Sequence, residues 1–169
     1  MEHKMRRFKQ MLDRGECEKI LAEATNGVLS LVDADGEPYG VPLSFAYDGE
    51  NHIYFHSATT GHKLDCLRHD SRCTFTVVAM DDIIPEKFTT CFRSVIVAGR
   101  GYIVDSPAEL LKGLVLLGEK YSPGIDSDAE IAKSLGHVAV MRLDIDRMSG
   151  KEGIELVRQK ADRQLSSEK

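Results

Sequence analysis

The densest run of chemistry-bearing side chains is Phe55-His56-Ser57-Ala58-Thr59-Thr60-Gly61-His62-Lys63. A β-forming segment ends there, a loop of small residues follows, and a short amphipathic helix begins, predicted over His62–His69. The first N–H groups of a helix have no partner inside it, and the helix dipole favours an anion at that end. Ser57, Thr59 and Thr60 add hydroxyl donors, and Gly61 permits close backbone approach. His62 and Lys63 place positive or donor character where the dipole disfavours a cation, an objection that a bound dianion removes. The pattern suits a phosphate. A plain helix start with two exposed basic residues accounts for the same letters.

Three further stretches carry weaker signals. In Tyr39-Gly40-Val41-Pro42-Leu43-Ser44-Phe45 a proline and a glycine interrupt a strand-like run. Both fit a flat ligand lying where a neighbouring strand would be, and both fit an edge strand guarded against aggregation. His62, Cys66 and His69 share one helix face at i, i+4 and i+7, with Cys73 beyond. Zinc sites use tighter spacing, and Cys66 falls on the apolar stripe beside Leu64 and Leu67, so no metal site is read. Ile84–Ser94 combines aromatics, threonines and Arg93. It reads as the lining of a polar ligand, which in a dimer could belong to a neighbour's site, or as mixed strand surface. No nucleophile pair of the Ser/His or Cys/His kind stands out, and Asp81, Asp82 and Glu86 look like loop residues. Gly99-Arg100-Gly101 opens like a dinucleotide fingerprint, but Val104 occupies the third glycine position and the segment continues as a strand.

The elements that must position these groups follow from periodicity and turn chemistry. Residues 5–25 read as a helix interrupted near Gly15, with Lys4, Arg6, Arg7 and Lys9 as a solvated face. Val28–Val32, Tyr39–Tyr47 and His52–Ser57 read as a three-stranded antiparallel meander, turned at Asp35-Gly36 and Asp48-Gly49. Cys73–Met80 is a strand, Asp81–Thr90 a loop around Pro85, and Phe92–Val104 a long strand bent at Gly99 and Gly101. Ser106–Glu109 and Ser127–Glu130 are capping boxes that open helices ending near Tyr121 and Gly136. His137–Asp146 is the last strand. The expected fold is α+β, with about six strands in a closed or nearly closed antiparallel barrel. Residues 1–157 form one domain, and 158–169 a polar, frayed tail.

Composition bounds the function. Of 169 residues, 42% are apolar and 29% charged, as in an ordinary globular domain. With 22 basic and 27 acidic residues the net charge is −5, which argues against a general nucleic-acid binder. The apolar runs Val95–Ala98 and Leu114–Leu117 fall far below the ~20 residues of a membrane span. Four cysteines without CxxC spacing and no secretory opening predict a cytoplasmic protein with reduced thiols.

Taken together, Gly27–Leu31, Pro38–Leu43, Ile53–Ala58 with Gly61-His62-Lys63, and Phe88-Thr89-Thr90 with Arg93–Val97 resemble the FMN-binding split-barrel superfamily, the pyridoxamine 5′-phosphate oxidase-like proteins, and within it the nitroimidazole-resistance branch. The resemblance runs from about Met5 to Glu152. It implies a six-stranded Greek-key split barrel and a homodimer with two FMN molecules in the clefts between chains. Val41, Pro42, Leu43 and Ser44 would lie along the isoalloxazine ring. His56, Ser57, Gly61, His62 and Lys63 would form the phosphate end. Thr90, Phe92, Arg93 and Ser94 would come from the partner chain, with Cys91 standing where many members carry an aromatic. The implied activity is FMN-dependent reduction of small molecules such as nitro-aromatics, with electrons from NAD(P)H or another reduced donor. The alternatives are a non-catalytic FMN or haem binder, with His56, His62 or His137 as iron ligands, and a structural domain with an empty cleft.

Overall fold

The computed structural model describes residues 5–167. Two tight hairpins come first. β2 (Asn26–Val32) and β3 (Pro38–Ser44) pair from Val32–Pro38 to Asn26–Ser44. Their turn is held by Asp33 Oδ1, which accepts the N–H groups of Asp35 and Glu37, each at 2.9 Å. β4 (Ala46–Tyr47) and β5 (His52–Ala58) form the second hairpin. Asp48 Oδ1 accepts the N–H groups of Glu50, Asn51 and His52 at 3.0–3.1 Å, an Asx-type closure.

The expected meander does not form, because the chain breaks at Phe45. β3 stays on β2, whereas β4 and β5 move to the far side of the sheet, where β5 pairs with β8 (Val138–Glu152). The sheet order is β3-β2-β6-β7-β8-β5-β4, with β6 spanning Arg72–Ile84 and β7 Thr89–Ile103, and β1 (Met11–Leu12) also pairs with β8. All pairings are antiparallel. The six-stranded closed barrel is therefore corrected to an open eight-stranded sheet in a mixed α+β fold. β3 and β4 end the path and do not hydrogen-bond to each other. Pro42 sits in one of these end strands, where a missing N–H need not cost a ladder bond.

The central strands run further than their apolar patterns. Asp81–Thr90 is not a loop: β6 and β7 stay paired from Met80–Arg93 to Ile84–Thr89 around a short 3-10 turn, Pro85–Lys87. Both faces of that extension are largely exposed, so no alternation betrays it. β8 continues past Asp146 because a bulge there shifts its register from Gly99–Ile145 to Ala98–Arg147. Gly99 is required at this crossing, since a Cβ would lie 1.9 Å from the Asp144 carbonyl oxygen.

The termini also depart from expectation. Residues 5–25 are not one helix. Phe8–Gln10 is a 3-10 turn, β1 follows, and α1 is Arg14–Glu23. Asp13 stops the helix from starting earlier. Its carboxylate accepts the Glu16 N–H at 2.8 Å, and Glu16 reaches back to the Asp13 N–H. Of the segment read as a frayed tail, residues 158–167 lie within α5 (Ile154–Ser167), whose Leu156 is buried, and 168 and 169 lie outside the described residues. Lys4 lies outside the described residues. Among those described, no helix is long and apolar enough to cross a membrane.

One core lies inside the curled sheet, where Phe75 meets Phe45 and Phe55 edge to face at centroid separations of 4.7 and 5.0 Å. α2 (His62–His69) closes it with Leu64, Cys66 and Leu67. α3 (Pro107–Tyr121) and α4 (Asp128–Ser134) cover the other face of β5 and β8, where Leu114 and Ile131 bury Tyr54 and Val140. Each fully buried large side chain contributes about 1.5–3 kcal/mol.

Candidate functional site

The start of α2 is shaped by Gly61, whose φ of 140° suits glycine and whose missing side chain leaves open space. No side chain caps this helix. The Gly61 carbonyl accepts the N–H groups of Leu64 and Asp65 at 2.9 and 3.2 Å, so the first-turn N–H groups of His62 and Lys63 remain available. Asp65, the acidic residue of that turn, pairs with Arg68 at 2.8 Å, and Lys63 has no acidic partner among the described residues. The result is a cradle of backbone donors in the helical turn that carries Lys63.

The neighbouring residues divide into roles. The His62 ring stands edge-on to Tyr39 at 4.5 Å between centroids, which ties the start of β3 to the start of α2. Its Nε2 lies 3.8 Å from Cys66 Sγ. His56 is exposed, on the opposite side of β5 from Phe55 and Ser57. Ser57 is buried, and its hydroxyl donates to the Ala58 carbonyl at 2.8 Å, so this donor does not point into the cradle. On β3, Val41 and Leu43 pack against the core while Pro42 and Ser44 face out.

Tyr121 was invisible to sequence reasoning, because an aromatic at a helix end reads as more apolar stripe. The break at Phe45 would leave buried backbone groups without partners. Tyr121 Oη accepts the Phe45 N–H at 2.9 Å and lies 3.0 Å from the Phe45 carbonyl, with the Thr25 carbonyl also in reach. Beside it, Lys120 Nζ sits 4.0 Å over the Phe45 ring and donates to the Leu21 carbonyl. Burial lowers that amine to about 8. A second unforeseen network fastens α3 to the sheet. Tyr54 bonds Glu109, and Arg142 joins Glu109 to Asp144. Burial, then the bond to Glu109, pushes the Tyr54 phenol to about 12.

Thr90, Phe92, Arg93 and Ser94 occupy the other end of the molecule. All four are half-buried on β7, around a buried Cys91. Glu152, only 3% exposed, takes Arg93 Nε at 3.1 Å and Lys160 Nζ at 2.8 Å. Strand β8 measures the separation: Ser57 lies opposite Ala139 and Ser94 opposite Lys151. Twelve positions of β8 separate the two sets, at most roughly 40 Å of strand, with the bulge at Asp146 between them. A single chain thus brings together the β3, β5 and α2 residues but not the β7 residues.

Other features carry no chemistry of this kind. Asp48, Glu50 and His52 approach metal-like spacing, but Asp48 is already occupied by three N–H groups, His52 Nδ1 at 2.7 Å and Lys112. Burial pushes the Cys17 and Cys73 thiols up to about 11 and about 12, away from nucleophilic thiolates. A groove of about 560 Å³ on the sheet's outer side is lined by Arg72, Arg100 and Arg147 among others, and by none of the candidate residues.

None of the curated proteins matches the sequence. A protein from Bacteroides thetaiotaomicron assigned to 5-nitroimidazole antibiotic resistance superposes with a TM-score of 0.72 at 23% identity, covering 84% of this chain and 86% of that one. The flavocytochrome Anf3 of Azotobacter vinelandii gives 0.73 at 23% identity, covering 89% and 72%. A FAD-binding protein of Mesorhizobium loti gives 0.61 at 27% identity, covering 85% and 97%. The family model described as pyridoxamine 5′-phosphate oxidase matches residues 13–152, and the chain belongs to that family.

Proposed function

We propose that this chain is an FMN-dependent reductase of small molecules that works as a homodimer. The observation that supports it best is the uncapped start of α2, whose first turn carries free backbone donors and Lys63, while its one carboxylate, Asp65, is paired with Arg68. A flavin phosphate supplies the missing dianion. The end strand β3, tied to α2 through Tyr39 and His62, then offers Val41–Ser44 as the edge against which a flat ring lies. When bound, the flavin supplies the redox chemistry, and the chain holds its phosphate, fixes the ring's edge and limits water. Electrons come from NAD(P)H or another reduced donor that visits and leaves.

The second chain is needed because Thr90–Ser94 lies at the far end of β8 from the cradle. A suitable face exists. Val28, Thr76, Ile96 and Ser149 stand in one row across β2, β6, β7 and β8, and Val28, Ile96 and nearby Val78 are exposed apolar residues. Such an exposed row of apolar and hydroxyl side chains suits a two-fold contact. The four cysteines are unpaired, which fits a reducing cytoplasm.

An absorbance spectrum of the purified protein, before and after loading with FMN, tests this reading. Flavin bands in the blue and near-ultraviolet support it. A Soret band instead favours haem, the second reading, which draws on similar folds named as a flavocytochrome and as a FAD- and heme-binding protein. Neither band after loading overturns both.

A further inference from the structure

We propose that Phe88, at the tip of the β6–β7 hairpin, shields the ring of the flavin bound in the second copy of this chain, and so governs which molecules reach it. The inference rests on the two-chain reading above. Phe88 is 99% exposed, the most exposed of the large apolar side chains. It is also the only non-glycine residue with positive φ among those described, at 49°. A bulky residue held in the left-handed region costs free energy, and such strain persists where surrounding structure enforces it. Here its N–H donates to the Pro85 carbonyl at 3.1 Å, which closes the 3-10 turn. A solvated turn would be better served by glycine or asparagine. Phenylalanine at this point makes sense where an apolar surface receives the ring.

The hairpin points to its own destination. Phe88 is two residues from Thr90, hence within about 7 Å of it along an extended strand. Wherever Thr90–Ser94 meets the neighbour's cleft, the tip arrives with it, because β6 and β7 stay in register up to Ile84–Thr89. The β7 arm of the hairpin is fastened by the Gly153 N–H to the Phe92 carbonyl at 2.9 Å and, next to the tip, by Thr89 Oγ1 to Glu155 at 2.9 Å, so the backbone beside Phe88 is held while its ring stays exposed. Ile83, 73% exposed, adds apolar surface beside Phe88. The occupant of this tip is therefore a second copy of the chain, and the surface it covers is that copy's bound ring.

The test reads ring accessibility, by iodide quenching of bound FMN, in the full-length protein. Phe88→Gly suits the positive φ, so the fold and its melting temperature hold. Quenching should rise severalfold while FMN affinity changes little, and Phe88→Tyr should restore the parent value. Mixed dimers then separate the two copies. A Phe88→Gly chain paired with a Lys63→Ala chain holds its FMN in the cleft with intact Lys63, under the partner's intact Phe88. That flavin should be as protected as in the parent. Full exposure in the mixed dimer, or unchanged quenching in the Phe88→Gly homodimer with FMN bound, overturns the shield alone. Failure of the parent to bind FMN overturns the function reading and the shield with it.

Discussion

The two ends of β8 are held by different forces. At the Val138 end, β5 and α2 are fixed by buried apolar groups, Leu64, Cys66 and Leu67 against Phe55, Phe75 and Leu143, and the break at Phe45 is closed by one phenol. At the Glu152 end, β7 and α5 are fixed by charge, one buried carboxylate between Arg93 and Lys160, with Lys160 also on Glu16. Apolar packing is indifferent to direction, so the cradle end owes its geometry to the few polar groups placed there. Ion pairs are directional but costly to desolvate. The arrangement at Glu152 fixes the β7 arm of the hairpin, and the Phe88 ring at its tip stays exposed. In the proposed function the cradle end receives the ligand, and the hairpin end is the part offered to a neighbour.

The comparison breaks most easily at Glu152. Glu152→Ala leaves Arg93 and Lys160 without their shared partner. Glu152 is the buried member, and the two cations it leaves behind are 34% and 40% exposed, so the loss should be about 1.5–3 kcal/mol. Urea unfolding should show that loss, and hydrogen exchange should quicken first at Thr89–Ser94 while β5 and α2 stay protected. A loss below about 1 kcal/mol, the range of exposed pairs, would mean that charge does not hold this end.

Tyr121→Phe attacks the other end. It strands the Phe45 N–H and carbonyl, and an unsatisfied buried polar group costs about 1–3 kcal/mol. Exchange should quicken at β3 and β4, and FMN and riboflavin should weaken alike because the β3 edge loosens. Faster exchange at the hairpin instead would dissolve the distinction between the ends.

Asp48 sharpens it through pH. Burial opposes its ionisation, but bonds from His52, the backbone and Lys112 outweigh burial and hold its carboxyl at about 2, below the usual 3.8. A depressed acid contributes stability above its unfolded value and loses it as pH falls toward the folded one. About 2 kcal/mol should therefore be present above pH ~4 and fade between pH ~4 and ~2. Asp48→Asn should flatten that part of the curve of unfolding free energy against pH, and an unchanged curve would contradict the assignment. The smallest effect belongs to Asp65→Asn. Its exposed pair with Arg68 contributes about 0–1 kcal/mol, so stability should barely move. FMN should bind slightly tighter with one acid fewer beside the cradle, and weaker binding would count against the cradle.

How much of this was legible follows from where the signals are local. The helix His62–His69 and its glycine start were read correctly, because helix periodicity and a φ-permissive residue are written in adjacent letters. The turns at Asp35-Gly36 and Asp48-Gly49 also form where turn chemistry placed them. The split of the meander was not legible. It depends on Tyr121, 76 residues away from Phe45, and no local pattern links them. The hairpin extension over Asp81–Thr90 was hidden because strands largely exposed on both faces lose the alternation that marks a strand. The capping box at Asp13 was in plain letters, Asp-Arg-Gly-Glu, and was overlooked in favour of a longer periodic run. For the candidate residues, the order along the chain was readable, but the twelve β8 positions that separate the strand partners of Ser57 and Ser94 follow only from the sheet register.

The measurement that bears most directly on the account is a pair of dissociation constants, FMN and riboflavin, for the parent and for Lys63→Ala. Charge-assisted hydrogen bonds contribute about 1.5–3 kcal/mol, and each ~1.4 kcal/mol is a factor of ten. FMN should therefore weaken roughly ten- to a hundredfold, while riboflavin, which has the ring without the phosphate, should stay at its parent value. Equal losses for the two ligands, or no loss for FMN, would contradict a phosphate held at the start of α2.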